Sequence, residues 1–197
     1  MSDQRRHDPA RDAEAGDREV TSPLIAHRSS LIAVREAGPE DYKALLPAFL
    51  GLSRFSREHH RPPPRDDFDA VLAARTAYAR EVLGRGAAGA TLLAMAGGGG
   101  VAGYAVVSVR PPNPLASNGA VRTGLIEEFY IADEWRGRGV GGRLTAAAFD
   151  WLRRQGAERA EVGAYAWNEA ALAFYRRQGF GAETITLTRP LDPSDEA

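Results

Sequence analysis

The chain has 197 residues, a formal net charge of −1 and no cysteine. That length suits one domain with a real hydrophobic core, and the lack of cysteine excludes disulfides, thiolate metal sites and a covalent cysteine mechanism. A near-neutral balance supplies no bulk basic field for nucleic acid or an anionic membrane, and no apolar run approaches the roughly 18 residues of a membrane span.

Residues 1–30 carry five Arg and six Asp or Glu with few large apolar side chains. Such a segment buries too little apolar surface to offset its ordering entropy, so a disordered tail is expected, with a partner-docking arm as the functional alternative. Its polar start has no apolar signal-peptide core, and a cytoplasmic location follows by default. The expected domain spans residues 31–192, and residues 193–197 form a short C-terminal tail.

Leu31-Ile32-Ala33-Val34-Arg35 reads as a first strand. Pro39 then opens a helix at a favoured position, with Glu40 and Asp41 in the first turn. Tyr42, Leu45, Leu46, Phe49 and Leu52 recur at helical spacing, and Arg61-Pro62-Pro63-Pro64-Arg65 ends the pattern. A second helix is expected over 66–83, with Phe68, Val71, Leu72 and Tyr78 as its apolar stripe. Residues 91–96 and 101–109 are β-leaning runs. Gly97-Gly98-Gly99-Gly100 joins them as a turn, since no helix follows it to make a phosphate loop. A loop over 111–123 leads to an apolar strand holding Leu125, Ile126, Phe129, Tyr130 and Ile131. The helix after it buries Val140, Leu144, Ala147, Ala148, Trp151 and Leu152. A strand over 159–167, a helix over 169–178 and a strand over 182–189 complete the domain. The order β-α-α-β-β-β-α-β-α-β mixes hairpins with crossover helices, which predicts a single α/β domain around a mixed sheet.

Arg136-Gly137-Arg138-Gly139-Val140-Gly141-Gly142 joins the apolar strand to its helix. Glycines let the backbone approach a ligand closely. The first amides of the helix are unpaired and carry the positive end of its dipole, so the loop predicts an anion site, most plausibly for a pyrophosphate. A Walker loop requires a following Lys-Ser/Thr, and the one lysine of the chain is Lys43. Gly137-x-Gly139-x-x-Gly142 fits the dinucleotide fingerprint, but sits too late in the chain for that fold.

Arg136-x-x-Gly139-x-Gly141 resembles the signature of the GNAT superfamily of acyl-CoA-dependent N-acyltransferases. Leu125-Ile126-Glu127-Glu128-Phe129-Tyr130-Ile131 is similar to the strand before that signature. Val162-Gly163-Ala164-Tyr165-Ala166-Trp167-Asn168-Glu169 is similar to the next strand and helix start, and Phe174-Tyr175-x-x-x-Gly179-Phe180 to the family's ending. The motifs cover residues 125–181; residues 31–110 match only in pattern. The resemblance implies a sheet splayed open between the signature strand and the next one, with acyl-CoA in the cleft.

The resemblance further implies an acetyl-CoA-dependent N-acetyltransferase acting on a primary amine by direct attack in a ternary complex. Acetyl-CoA would be the donor cosubstrate, held by the amides of Gly137, Gly139, Val140, Gly141 and Gly142 with Arg136 and Arg138 adding charge. The backbone of Phe129, Tyr130 and Ile131 would lie beside the pantetheine arm. Glu127 and Glu128 are the candidates for taking the amine proton, directly or through water. Adjacent strand residues face opposite sides, so at most one is expected to reach the thioester, and family members often carry an acid at the place of Glu127. A carboxylate beside an apolar cleft would have a raised pKa, as suits a base. Tyr175 is the candidate acid for the leaving thiolate. Asn168 is expected to cap the helix at Glu169 and to touch the cofactor arm.

Residues 42–80 and 111–123 would shape the acceptor site. Arg54, Arg57, His59 and His60 would read an acidic acceptor or form a solvated face. His59-His60 alone does not assemble a metal site, and none is expected. The acceptor would be a small-molecule or protein amine, with no nucleic acid or membrane partner, and a homodimer is a frequent state in the family. The alternatives are a non-catalytic acyl-CoA-binding sensor or interaction domain of the same fold, and a nucleotide-binding module using the same loop.

Overall fold

A computed structural model of the chain describes residues 32–60, 66–115 and 120–189. The tails expected at 1–30 and 193–197 lie outside the described residues. Strand β1 (Ala33–Glu36) is followed by a 3-10 turn at Pro39–Asp41, helix α1 (Tyr42–His59) and helix α2 (Phe68–Leu83). Strands β2 (Gly89–Met95), β3 (Val101–Arg110) and β4 (Thr123–Ile131) lead to α3 (Val140–Arg154), β5 (Arg159–Val162) and α4 (Glu169–Arg177). The five strands stand in the order β1-β2-β3-β4-β5. β1 to β4 are antiparallel neighbours, and β5 runs parallel to β4. The result is a single α/β domain with a mixed open sheet, as the element pattern predicts.

Successive strand residues point to opposite faces, and both faces here are apolar. Leu93, Tyr104 and Val106 pack against Leu45, Phe49, Ala79 and Val82 of α1 and α2. Leu92, Ala105, Val107 and Ile126 pack against Val140, Leu144, Ala148 and Trp151 of α3. This two-sided burial is why β2 and β3 read as near-continuous apolar runs rather than as alternating ones.

The expected strand at 182–189 does not form. Residues 181–189 have no regular secondary structure and are exposed, with Ile185 and Leu187 at 84% and 89% exposure. Arg159 at the start of β5 holds the carboxylate of Glu183, but residues 184–189 enter no ladder. Alternating Thr184-Ile185-Thr186-Leu187-Thr188 is a strand pattern, yet a strand also needs a neighbour to bond, and the period alone does not supply one. The strand expected over 159–167 likewise ends at Val162.

The β1–α1 junction is held by an ion pair. Arg35 donates to both carboxylate oxygens of Asp41 at 2.7 and 2.6 Å, and the Gly38 amide donates to the same group at 3.0 Å. The hydrogen-bonded guanidinium, aided by that amide and outweighing the cost of burial, lowers the Asp41 pKa to about 2. The unfolded value is about 3.9. The folded pKa is depressed, so this stabilisation is present above pH of about 4 and is lost as pH falls toward 2. Urea midpoints at pH 7 and pH 3 should therefore drop further in the native chain than in Asp41→Asn, which has no carboxylate to protonate. Equal drops would remove Asp41 from the acid response.

Candidate active site

β4 and β5 pair only over Thr123–Ile126 against Arg159–Val162. β5 then stops while β4 runs on to Ile131, bonded to β3 alone among the described strands. The other edge of β4 opens into a cleft of about 640 Å³ whose walls come from α1, α2, β4 and the β5–α4 segment.

A β-bulge sits where the strands part. Val106 pairs with Glu128 and Val107 with Ile126, which leaves Glu127 as an extra residue. Ile126, Phe129 and Ile131 face α3, whereas Tyr130 faces α1 and α2. The extra residue interrupts the alternation, so Glu127 and Glu128 both turn toward the α2 side and both line the cleft. The expectation that these adjacent residues face opposite sides is thus corrected: a bulge puts two consecutive side chains on one face.

Each carboxylate is clamped by arginine. Glu128 accepts from Arg75 through both of its oxygens, Nη2 at 2.8 Å and Nη1 in a shorter contact, and from the Tyr104 hydroxyl at 2.9 Å. Glu127 accepts from Arg85 at 2.6 Å, Ser108 at 2.5 Å and Tyr78 at 3.1 Å. Burial pushes the Glu127 pKa up, but the hydrogen bonds from Ser108, Arg85 and Tyr78 and the arginine charge outweigh it, and the net direction is down. The raised value expected for a carboxylate beside an apolar cleft is therefore corrected for Glu127. The same cluster pushes the Tyr78 hydroxyl up to about 12, chiefly by burial and then by the two carboxylates.

Tyr175 of α4 lines the same cleft. Its buried ring stands edge-on to Phe129 and Phe180, at 6.1 and 5.7 Å between centroids, and burial raises its pKa to about 12. Asn168 caps α4 by accepting from the Ala171 amide at 3.1 Å and also lines the cleft. Glu127, Glu128, Phe129, Asn168 and Tyr175 are thus brought together.

Tyr130, Ile131 and the loop 136–142 lie beyond that group, at the end of β4 and the start of α3. Tyr130 packs between α1 and Tyr104. Gly139 has φ +76°, a left-handed conformation, and is the N-cap of α3. A side chain there would be strained. At Gly141 a Cβ would come within 3.0 Å of the Phe174 ring, so glycine lets α4 approach α3. Arg136 donates to the Ile131 carbonyl at 3.2 Å, pairs with Asp133 at 2.7 Å and covers the Phe55 ring. Arg138 lies over Trp135. Open space over Gly137, Gly139 and Gly142 and the uncapped start of α3 fit an anionic group at this turn.

The sequence reading missed Arg75, Arg85, Tyr78, Ser108 and Tyr104, which lie 53, 42, 49, 19 and 24 residues from their carboxylate partners. No local pattern signals such pairs. It also missed an aromatic wall. Trp167 is stacked between His59, at 5.4 Å and 14°, and Tyr165, at 5.2 Å and 12°, while Phe55 tilts against His59. Tyr165 and Trp167 stand within the motif that resembles the family, which was the one available signal. Arg57, for which reading an acidic acceptor and a solvated face were the alternatives, pairs with Asp66 at 2.8 Å. Among the described residues no group of three or more His, Cys, Asp or Glu is arranged to hold a metal, and no helix is long and apolar enough to cross a membrane.

Residues 52–180 match the model of the acetyltransferase (GNAT) family. The chain is 33% identical over 168 residues to the aminoglycoside N(6')-acetyltransferase type 1 of Stenotrophomonas maltophilia, covering 84% of this chain and 98% of that protein. It is 37% identical over 62 residues to the N-alpha-acetyltransferase 30 of Schizosaccharomyces pombe, 32% of this chain and 41% of that protein. The fold resembles a ribosomal-protein-alanine N-acetyltransferase from Brucella melitensis biovar Abortus 2308, with TM-score 0.58, 17% identity and coverage of 81% and 99% of the two chains. It also resembles a glucosamine-6-phosphate N-acetyltransferase from Arabidopsis thaliana, with TM-score 0.56, 15% identity and coverage of 82% and 99%. With the signature loop at the start of α3 and the strands parted beside it, the chain belongs to the acetyltransferase (GNAT) family and is an N-acetyltransferase by class.

Proposed function

We propose that the protein transfers an acetyl group from acetyl-CoA to the primary amine of an acceptor by direct attack within a ternary complex. The observation that carries this reading is the cleft itself: an open β4 edge, two anchored carboxylates and a protonated phenol converge in it, beside a left-handed glycine turn at a helix start. The amides at Gly137, Gly139, Val140, Gly141 and Gly142 hold the pyrophosphate, and Arg136 and Arg138 lend charge. The open edge of Phe129, Tyr130 and Ile131 bonds the pantetheine arm, with Asn168 on the far side. The backbone released at the Glu127 bulge offers a donor to the oxygen that gains charge as the amine adds.

The amine nitrogen forms the new bond to the acetyl carbon, the carbon–sulfur bond breaks, and one amine proton ends on sulfur. The lowered pKa of Glu127 makes it a fixed anion at neutral pH, so Glu127 orients the amine and a relaying water rather than storing its proton, and Glu128 lines the same face of the cleft beside it. Tyr175 keeps its own proton and donates a hydrogen bond to the departing sulfur.

Calorimetric titration with acetyl-CoA, against ATP and NAD as controls, tests the donor assignment. Acetyl-CoA should bind selectively, and Gly139→Val should weaken it at least about tenfold because valine cannot adopt φ +76° without strain. Absence of acetyl-CoA binding would sink the reading.

A further inference from the structure

The acceptor side of the cleft carries two signals, charge and shape. Three carboxylates line it, Asp66, Glu127 and Glu128, and each is bound to an arginine: Arg57, Arg85 and Arg75 respectively. No unpaired Asp or Glu lines it among the described residues. An ammonium group taken from water into such a cleft meets only carboxylates already shared with arginine, and each ammonium beyond the reacting one is costly to desolvate.

The wall facing this neutral site is a stack of rings. Tyr165 and Trp167 line the cleft and stack at 12°, and His59, outside the lining, stacks behind Trp167 at 14°. Tyr165 ends the series half exposed, at 49%, with the His60 ring perpendicular to it at 5.8 Å. A large ring left open to solvent at the end of a stack is a surface on which another flat ring gains both apolar burial and offset stacking. A single ammonium would gain about 0.5–2 kcal/mol from the same ring face, which does not offset several desolvated charges.

We infer that the acceptor is a small monoamine with a flat, uncharged aromatic body, an arylalkylamine, and that its ring extends the His59–Trp167–Tyr165 stack. This separates the chain from the activity in the name of its Stenotrophomonas maltophilia relative, because an aminoglycoside brings several ammonium groups into a cleft whose carboxylates are already engaged. The inference rests on the acetyl-transfer reading above and names its acceptor class.

The test compares 2-phenylethylamine, tobramycin and a short peptide with a free N-terminus as acceptors for the full chain, by thiol release from acetyl-CoA and by calorimetry on the CoA-loaded protein. 2-Phenylethylamine should exceed the other two at least about 100-fold in kcat/KM and should bind more tightly. Tyr165→Leu should raise its KM about tenfold while leaving acetyl-CoA affinity unchanged, and Tyr165→Phe, which keeps the ring, should keep the KM. Equal or faster turnover of tobramycin or of the peptide overturns the inference, as does an unaltered KM in Tyr165→Leu. Where acetyl-CoA binds but no thiol is released with any amine, the transfer reading fails, and the calorimetric ranking of the three amines still decides the acceptor class.

Discussion

Tyr175→Phe will lower kcat about 100-fold, the low end of what a positioned proton donor contributes, while leaving acetyl-CoA affinity nearly unchanged. The ring is held by apolar neighbours, edge-on to Phe129 and Phe180, and phenylalanine keeps those contacts. What it removes is the one group in this part of the cleft that can place a proton near a departing sulfur. Burial raises the hydroxyl pKa to about 12, whereas a thiol titrates near about 8.5. Full transfer from tyrosine to a free thiolate is thus uphill, and a hydrogen bond that strengthens as charge develops is the favoured form of help. The pH profile separates this role from ordinary titration. A tyrosine with a pKa of about 12 contributes no alkaline loss of rate of its own below pH of about 11. Equal kcat in the native chain and Tyr175→Phe would remove Tyr175 from the chemistry.

Arg75→Met will cost about 3 kcal/mol of folding stability, the low end for removing one partner of a buried pair. Arg75 and Glu128 have side-chain exposures of 18% and 12%, so the pair is largely shielded from solvent. Methionine preserves much of the volume against Phe49 and Tyr78, over which the guanidinium lies. The deficit therefore reports on the carboxylate left with Tyr104 as its remaining partner. Arg75→Met combined with Glu128→Gln should recover most of the loss, because no charge is then stranded. Urea unfolding of the two variants at pH 7 measures both statements. A deficit below about 1 kcal/mol would mean that the pair behaves as a surface ion pair.

The positions of the helices and of most strands were legible because their causes are local. Tyr42, Leu45 and Phe49 repeat at the helical period, Asn168 carries the side chain a helix start needs, and the glycines at 137–142 announce a turn into α3. The expectation of an anion site at that turn also follows from the chain, since unpaired amides at a helix start depend on nothing distant. Residues 182–189 had an equally good strand pattern and made no strand, because a strand is completed only by a neighbour's hydrogen-bonding edge. The candidate site divides in the same way. Glu127, Glu128 and Tyr175 were identifiable as chemistry-bearing residues at recognisable spacing, with one of the two carboxylates and Tyr175 expected near the thioester. That both carboxylates share a face, that Arg75 and Arg85 clamp them, and that the Glu127 pKa is lowered were decided only in three dimensions. The bulge at Glu127 is a mismatch between two strands, and Arg75 of α2 and Arg85 just beyond its end reach the carboxylates from 53 and 42 residues away. By itself the sequence determined which groups this acetyltransferase has to work with. Tertiary structure alone decided their charge and direction, because both depend on what packs against each side chain rather than on what precedes it in the chain.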